Sequence, residues 1–274
     1  MKFFLKAVLL MLIVSSCQKE EQVTNELFSL TTDSDSAAYH YQAGWQQIMD
    51  FGNYSQAEEE WRKAKSYDDG FLLNLAVLAR VTQDLEERLD LTNQLESRKN
   101  ELIGDERKVL DIYLALTHYT NLRDQNSTLK DSAFTAAMDL SYSNMAGVVH
   151  RNPEEVYLKS EYFETLHRKI GAKQTLDSIQ ALTLPTQLDN PFILGYRALL
   201  YAELENYDAA LLVTRRLVTT IGDRSIAKPY AILANIYFTQ GDYARATLNV
   251  ERAYSIDPNN LDVLRIKQKL DEID

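Results

Sequence analysis

Carboxylates are the side chains in this sequence that could most readily act as a general acid and base. Glu161 and Glu164 lie three positions apart, a spacing that would place both on one face of a helix. Paired carboxylates are the arrangement by which glycosidases cleave their substrates. Runs such as Glu58-Glu59-Glu60 and Glu86-Glu87, however, are typical of solvated helix faces. Because the chain has 40 Asp and Glu residues, one pair carries little information, and we predict no catalytic residue.

Other reactive or metal-binding side chains do not form a recognisable site. The 4 histidines, which are His40, His118, His150 and His167, form no HExxH motif. The 9 glycines are scattered singly, so the sequence contains no glycine-rich phosphate loop. A GxSxG nucleophile motif is also absent. We therefore predict that the protein is not an enzyme and that it uses no metal and no cofactor.

Cys17 is the only cysteine, and the residues before it predict that its thiol is modified. Residues 1–16 contain two lysines, an apolar run at 7–14 and two serines. That run is too short to be a stable membrane anchor but has the length found in signal peptides. Val14-Ser15-Ser16-Cys17 resembles the lipobox of bacterial lipoproteins, which implies that residues 1–16 are removed and Cys17 is acylated. The alternative is an uncleaved N-terminal helix with a chance cysteine.

The residues after Cys17 bear on the location of the protein. Gln18-Lys19-Glu20-Glu21 resembles the surface-export signal of Bacteroidota lipoproteins, a Lys or Gln followed directly by acidic residues. The resemblance implies an outer-membrane lipoprotein of the Bacteroidota type, exposed at the cell surface rather than in the periplasm. A plain solvated tether is the alternative interpretation. Residues 17–36 are polar and poorly periodic, and we predict that they form a flexible lipidated tether.

The composition indicates a folded, acidic protein. Charged residues make up 25% and hydrophobic residues 45%, which argues against disorder and against a polytopic membrane protein. The 29 Lys and Arg against 40 Asp and Glu give a net charge of −11, and no basic cluster offsets it. Such a surface repels phosphate backbones, so we expect no nucleic-acid partner. A single cysteine excludes an internal disulfide framework.

From residue 37 to 274 the apolar residues recur with helical periodicity, and no segment alternates as a strand does. The pattern predicts about thirteen helices, with one ending at Ile170 and the next beginning at Ala172. Three Asx-Pro pairs would each cap a helix and place proline at its first position: Asn152-Pro153, Asn190-Pro191 and Asp257-Pro258. A terminal helix is predicted at 260–273.

Small and aromatic residues repeat within this helical region. In the segment 227–260 they occupy two helices closed by a proline: Tyr230, Leu233, Ala234, Tyr237, then Tyr243, Ala246, Val250, Ala253 and Pro258. This segment resembles the tetratricopeptide repeat (TPR), whose period is about 34 residues. Segments 38–70 and 191–224 resemble it less closely. We therefore predict an all-α, TPR-like α-solenoid of about six antiparallel helix pairs plus a C-terminal capping helix.

The TPR resemblance implies a concave groove that binds a partner. The residues facing it would be Gln42, Gln46 and Met49 in the first repeat and Lys228, Ala231, Asn235, Phe238 and Thr239 in the last. TPR proteins that clamp a chain terminus carry Lys and Asn at set groove positions. Asn235 matches one position, but Gln42 and Ala231 replace the lysines. A folded partner or an internal segment is therefore favoured over capture of a chain terminus.

Three triplets of Asp, Ser and a small or apolar residue are similar to the O-glycosylation sequon of Bacteroidota. They would modify Ser36, Ser132 and Ser178.

Together these features predict a non-catalytic, lipid-anchored TPR scaffold or adaptor at the bacterial outer membrane. It would bind an outer-membrane or surface protein as a subunit of an envelope assembly, secretion or uptake complex. The second hypothesis is an accessory lipoprotein that binds a nutrient, either glycan or peptide, for an uptake system. The third is a helical-toroid enzyme that uses Glu161 or Glu164.

Overall fold

The computed structural model describes residue 28, residues 30–222 and residues 225–273. Within these ranges every regular element is helical, as predicted. The helices are α1 (Asp35–Gln46), α2 (Tyr54–Tyr67), α3 (Leu72–Val81), α4 (Leu85–Arg98), α5 (Gly104–Asp124), α6 (Lys130–Arg151), α7 (Val156–Leu182), α8 (Pro191–Glu203), α9 (Tyr207–Ile221), α10 (Lys228–Thr239), α11 (Tyr243–Ile256) and α12 (Leu261–Asp271). A π-helical turn follows α1 at Gln47–Phe51, and short 3-10 turns occupy Lys99–Glu101 and Pro185–Gln187. None of these helices is long and apolar enough to cross a bilayer.

Neighbouring helices pack as hairpins, which confirms the predicted solenoid. The pairs α1–α2, α3–α4, α5–α6, α8–α9 and α10–α11 are each in direct contact. The long helix α7 forms a sixth pair by itself, because Gly171 has φ 83° and ψ 174° and interrupts the helix. Lys159 Nζ donates to the Leu182 carbonyl oxygen at 2.7 Å, so the two halves of α7 fold back on each other. The break at Gly171 lies where the sequence predicts one helix to end and the next to begin.

The proline prediction holds at only one of its three sites. Pro191 begins α8, and the Asn190 side chain accepts from the Phe192 amide at 3.0 Å. The other two prolines lie in the turns before α7 and α12. In the second of these turns Asn260 caps α12, because its Oδ1 accepts from the Val263 amide at 3.0 Å. The Asp257 side chain is thereby available to a distant part of the chain.

Buried aromatic residues join the first pair to the middle of the solenoid. The Trp45 ring stacks on Tyr157 of α7, with centroids 5.1 Å apart, and meets Trp61 edge-on at 5.4 Å. The ring of Tyr113 in α5 lies 6.1 Å from Trp45. Trp61 is 1% exposed and its Nε1 donates to the Tyr41 carbonyl oxygen at 3.1 Å. The core of this half is therefore continuous across three helix pairs.

The two ends of the solenoid meet, which the sequence does not predict. Asp257 Oδ2 accepts from the Tyr54 amide at 2.6 Å, and Asp257 Oδ1 accepts from Ser55 Oγ at 2.7 Å. Asn260 Nδ2 donates to the Gly52 carbonyl oxygen at 2.6 Å. Gly52 has φ 67°, and a Cβ there would lie 3.2 Å from the Cα of Lys228. Only glycine accommodates both the left-handed backbone and this close approach. The loop that starts α2 thus closes the solenoid against the last repeat.

The structure also differs from the prediction of a flexible tether up to residue 36. Phe28 is buried, and its ring meets that of Tyr157 edge-on, with centroids 6.4 Å apart. The Thr31 amide donates to Glu106 Oε1 at 2.7 Å. Ser34 caps α1, which therefore begins two residues before the predicted boundary. Burial of an apolar side chain and these hydrogen bonds hold the segment against the solenoid. The predicted signal peptide and Cys17 lie outside the described residues.

Candidate binding cavity

The inner helices enclose a cavity of about 1070 Å³. Its wall is formed mainly by α5, α7, α8, α10 and α12, with contributions from α3 and from the turn after α1. This volume lies at the upper end of the range of about 300–1,000 Å³ that is usual for small-molecule pockets. The cavity is therefore large enough for part of a polymer as well as for a small ligand.

The cavity includes five of the eight predicted groove residues. Met49, Lys228, Ala231, Asn235 and Thr239 line it. Gln42 and Gln46 are exposed outside it, where α1 contributes Trp45 instead. The π-helical turn has a longer repeat than an α-helix and so changes the faces on which successive residues lie. Phe238 packs on the Tyr243 ring, with centroids 5.6 Å apart. That these residues bind a partner remains a prediction.

The cavity wall is basic although the chain is acidic. Seven basic residues line it: Arg80, Arg88, Arg123, Arg168, Lys228, Arg265 and Lys269. Four acidic residues line it: Glu161, Glu164, Glu203 and Asp262. The wall thus carries a formal charge of +3, whereas the whole chain carries −11. The remaining 22 basic and 36 acidic residues give −14 for the rest of the sequence.

Three of the four acids on the wall are already paired. Arg80 NH1 contacts Glu161 Oε1 at 2.7 Å, and Arg265 NH1 contacts Asp262 Oδ1 at 3.2 Å. His167 Nε2 contacts Glu203 Oε2 at 2.7 Å. Arg88 and Arg123 both pair with Asp124, which does not line the cavity. Within the described ranges, Arg168, Lys228 and Lys269 form no ion pair with a carboxylate.

Two cavity residues have shifted pKa values. The Glu164 side chain is exposed on the cavity wall, and its partial removal from solvent there raises its pKa to about 7, with the negative charge of Glu161 adding to the shift. Burial lowers the pKa of Lys228 to about 8, although the charge of Asp50 opposes this. Near pH 7, Glu164 is therefore partly neutral while Lys228 remains mostly charged. Near pH 7 the Glu164 shift removes part of the negative charge of the wall, whereas the Lys228 shift leaves most of its positive charge in place.

The two carboxylates that the sequence suggested for hydrolysis lie on this wall. Glu161, however, is held by Arg80, and Glu164 has no hydrogen bond to a protein group among the described residues. Apolar and aromatic side chains surround them, including Tyr54, Phe192 and Tyr196. The arrangement offers charged and stacking groups for binding.

The basic wall residues of the central helices are the main feature that sequence reasoning missed. A signal was present in α7, where Glu161, Glu164, Thr165 and Arg168 follow helical spacing and form one polar face. The opposite face carries Phe163 and Leu166, which are buried. Because this segment lacks the small residues of a TPR, its helix could not be aligned with the groove positions of the last repeat.

The predicted glycosylation sites lie on helices. Ser36 and Ser132 are exposed in the first turns of α1 and α6, and Ser132 Oγ donates to the Leu129 carbonyl oxygen at 2.8 Å. Ser178 is half-buried in α7 and donates to the Gln174 carbonyl oxygen at 2.9 Å. The predicted export signal at 18–21 lies outside the described residues. Across the part of the chain that the structure describes, no group of three or more His, Cys, Asp or Glu could hold a metal ion.

Comparison with known families identifies one segment. The family profile of the tetratricopeptide repeat matches residues 227–260, which contain α10 and α11. No curated protein matches the sequence. TPR repeats generally mediate protein–protein interaction, and four of the groove residues predicted in this segment line the cavity. Residues 227–260 are therefore a tetratricopeptide repeat within a TPR-like helical solenoid.

Proposed function

We propose that this protein is a non-catalytic scaffold that binds a segment of a partner protein in the central cavity. The observation that carries the proposal is the position of the cavity on the inner side of the solenoid. Lys228, Ala231, Asn235 and Thr239 of the matched repeat line it. Helical repeat proteins bind extended or helical segments on such concave surfaces.

The proposal includes a lipid anchor at the bacterial outer membrane. The lipobox-like sequence ending at Cys17 supports acylation, and two or more acyl chains give stable membrane attachment. Gln18-Lys19-Glu20-Glu21 supports export to the cell surface. The partner would then be an outer-membrane or surface protein of an assembly, secretion or uptake complex.

The aromatic residues of the cavity favour a second candidate, a glycan-binding accessory lipoprotein. Tyr119, Phe134 and Tyr196 line the wall and could stack on sugar rings. Retention on a polysaccharide column, together with the absence of a crosslinked protein, would favour this function over the scaffold.

Site-specific photocrosslinking in intact cells tests the scaffold. A photoreactive amino acid at Thr239 would be exposed and face the cavity. The matched control carries it at Leu248 of α11, which is 66% exposed and does not line the cavity. We expect one envelope protein to crosslink at Thr239 and not at Leu248. Equal crosslinking at both positions would contradict binding in the cavity.

The anchor is tested separately. The variant Cys17→Ala should lose metabolic labelling by a fatty-acid analogue and leave the membrane fraction. Protease treatment of intact cells should digest the wild type. It should spare a variant in which Lys19, Glu20 and Glu21 are replaced by alanine. If both forms resist digestion, the surface location is wrong and the protein faces the periplasm.

A further inference from the structure

The charge of the cavity wall limits the kind of segment that it can bind. Across the whole sequence acidic residues outnumber basic ones, 40 to 29, whereas on the wall basic residues outnumber acidic ones, seven to four. A concave surface concentrates its field on whatever enters it, and the residues that line this one carry a net positive charge. The exterior, in contrast, repels an acidic segment.

Two unpaired cations on the wall are placed to contact a ligand. Arg168 projects from α7, and its guanidinium lies over the Phe134 ring, 5.4 Å from the centroid. Lys269 projects from α12, and its Nζ lies 5.7 Å from the centroid of the Phe238 ring. Both side chains are exposed and line the cavity. Each cation can therefore pair with a carboxylate of a ligand without breaking an ion pair to any residue that the structure describes.

Apolar side chains also line the cavity. Leu116, Met138 and Leu199 line it together with the aromatic residues. Carboxylates alone would leave this surface unfilled, whereas a segment that carries both carboxylates and apolar side chains would complement both features. Arg168 and Lys269 line the same cavity from two different helices. One bound segment could therefore place an acidic residue against each of them.

Resting on the proposed function, we propose that the cavity binds an acidic peptide segment of the partner that also carries apolar side chains, and that Arg168 and Lys269 pair with its carboxylates. The groups responsible lie outside the lysine positions of the carboxylate clamp, so the segment need not contain a chain terminus. Charge complementarity is the reason for choosing this occupant.

Selection from a random peptide library tests the proposal on the full-length protein purified in detergent. We expect the enriched peptides to carry an excess of Asp and Glu together with Leu or aromatic residues. The best of them should bind about tenfold more weakly to the double variant Arg168→Gln, Lys269→Gln, and its affinity should fall with added salt. The matched control is Lys173→Gln, Arg215→Gln, which removes two exposed charges outside the cavity and should bind like the wild type.

Each other outcome overturns the proposal. Enrichment of neutral or basic peptides, or no enrichment, would contradict an acidic ligand. Equal weakening by the two double variants would show a general charge effect. Tighter binding of polygalacturonate than of any selected peptide would assign the cavity to an acidic glycan. The Thr239 crosslinking experiment separates the two proposals. If a partner crosslinks at Thr239 but the wild-type protein selects no acidic peptide, the scaffold function stands and the proposal of an acidic ligand is rejected.

Discussion

Two hairpins of this solenoid, α10–α11 and α7, have similar architecture but are held together by different residues. In α10–α11 the contact is made by Ala234, Ala246 and Ala253, none of which has measurable exposure. In α7 the two halves are joined by Lys159, whose buried Nζ donates to the Leu182 carbonyl oxygen at 2.7 Å and to Gln187. Small residues at regular spacing produce a pattern that recurs in the sequence of each repeat, whereas a single buried polar contact such as that of Lys159 produces no recurrent sequence pattern. The repeat profile matches residues 227–260, the segment that contains the small residues of α10–α11.

The substitution Lys159→Ala should have the largest effect, because it removes the contact that distinguishes α7. Lys159 is fully buried, so its loss leaves a void and removes the donor to the Leu182 carbonyl oxygen, whereas Gln187 Oε1 still accepts from the Leu184 amide. We expect the free energy of unfolding to fall by about 3 kcal/mol, measured by urea denaturation. The control Lys173→Ala, at an exposed position of the same helix, should change it by less than about 0.5 kcal/mol. Equal stability of the two variants would show that packing alone holds the hairpin.

The substitution Ala246→Leu tests the other side of the comparison. The Ala246 side chain is fully buried between helices that approach closely, and a larger residue would force them apart. We expect a loss of about 2 kcal/mol in the free energy of unfolding. The control Ala244→Leu introduces the same side chain at an exposed position of α11 and should be nearly neutral. If Ala246→Leu is tolerated equally well, close approach is not what defines this repeat.

A third prediction compares a local helix cap with a long-range one. Asp242 caps its own helix α11, accepting from the Arg245 amide at 3.0 Å, whereas Asp257 accepts from the Tyr54 amide at 2.6 Å. Removing either cap by substitution with alanine should cost about 1 kcal/mol. Only Asp257→Ala should also accelerate hydrogen exchange of the Tyr54 and Ser55 amides, because it opens the contact between the ends. Unchanged exchange at both amides would mean that the solenoid stays closed without Asp257.

Most of the fold could be predicted from the sequence because local patterns determine it. Helical periodicity and the break beside Gly171 both appear in the structure. Asp257 shows why the rest could not be predicted, since an aspartate before proline reads as a cap for the following helix, yet it caps α2 about two hundred residues earlier. The basic wall of the cavity could not be predicted either, because it also depends on residues that are far apart in the sequence. Its cations come from separate helices and line one cavity only once the chain has folded.

The last prediction concerns pH, for which α7 and α10 should respond in opposite directions. Burial raises the pKa of Glu164 in α7 to about 7, so the native state binds more protons than the unfolded state between about pH 4.3 and pH 7. Stability due to this group should therefore fall as pH rises through that window. Burial lowers the pKa of Lys228 in α10 to about 8, so stability due to Lys228 should instead rise from about pH 8 to pH 10.

The variant Glu164→Gln isolates the first of these effects. Arg80 and Arg168 favour the charged form of Glu164, whereas burial, Glu161 and Asp262 oppose it. Glutamine keeps the shape of the neutral form, so the melting temperature of the variant should match that of the wild type at pH 5. It should exceed the wild-type value at pH 8. The same substitution should remove any strengthening of acidic-peptide binding between pH 8 and pH 6. A melting-temperature difference that does not change between pH 5 and pH 8 would show that the pKa of Glu164 is not raised, and the cavity wall would then lose no negative charge near neutrality.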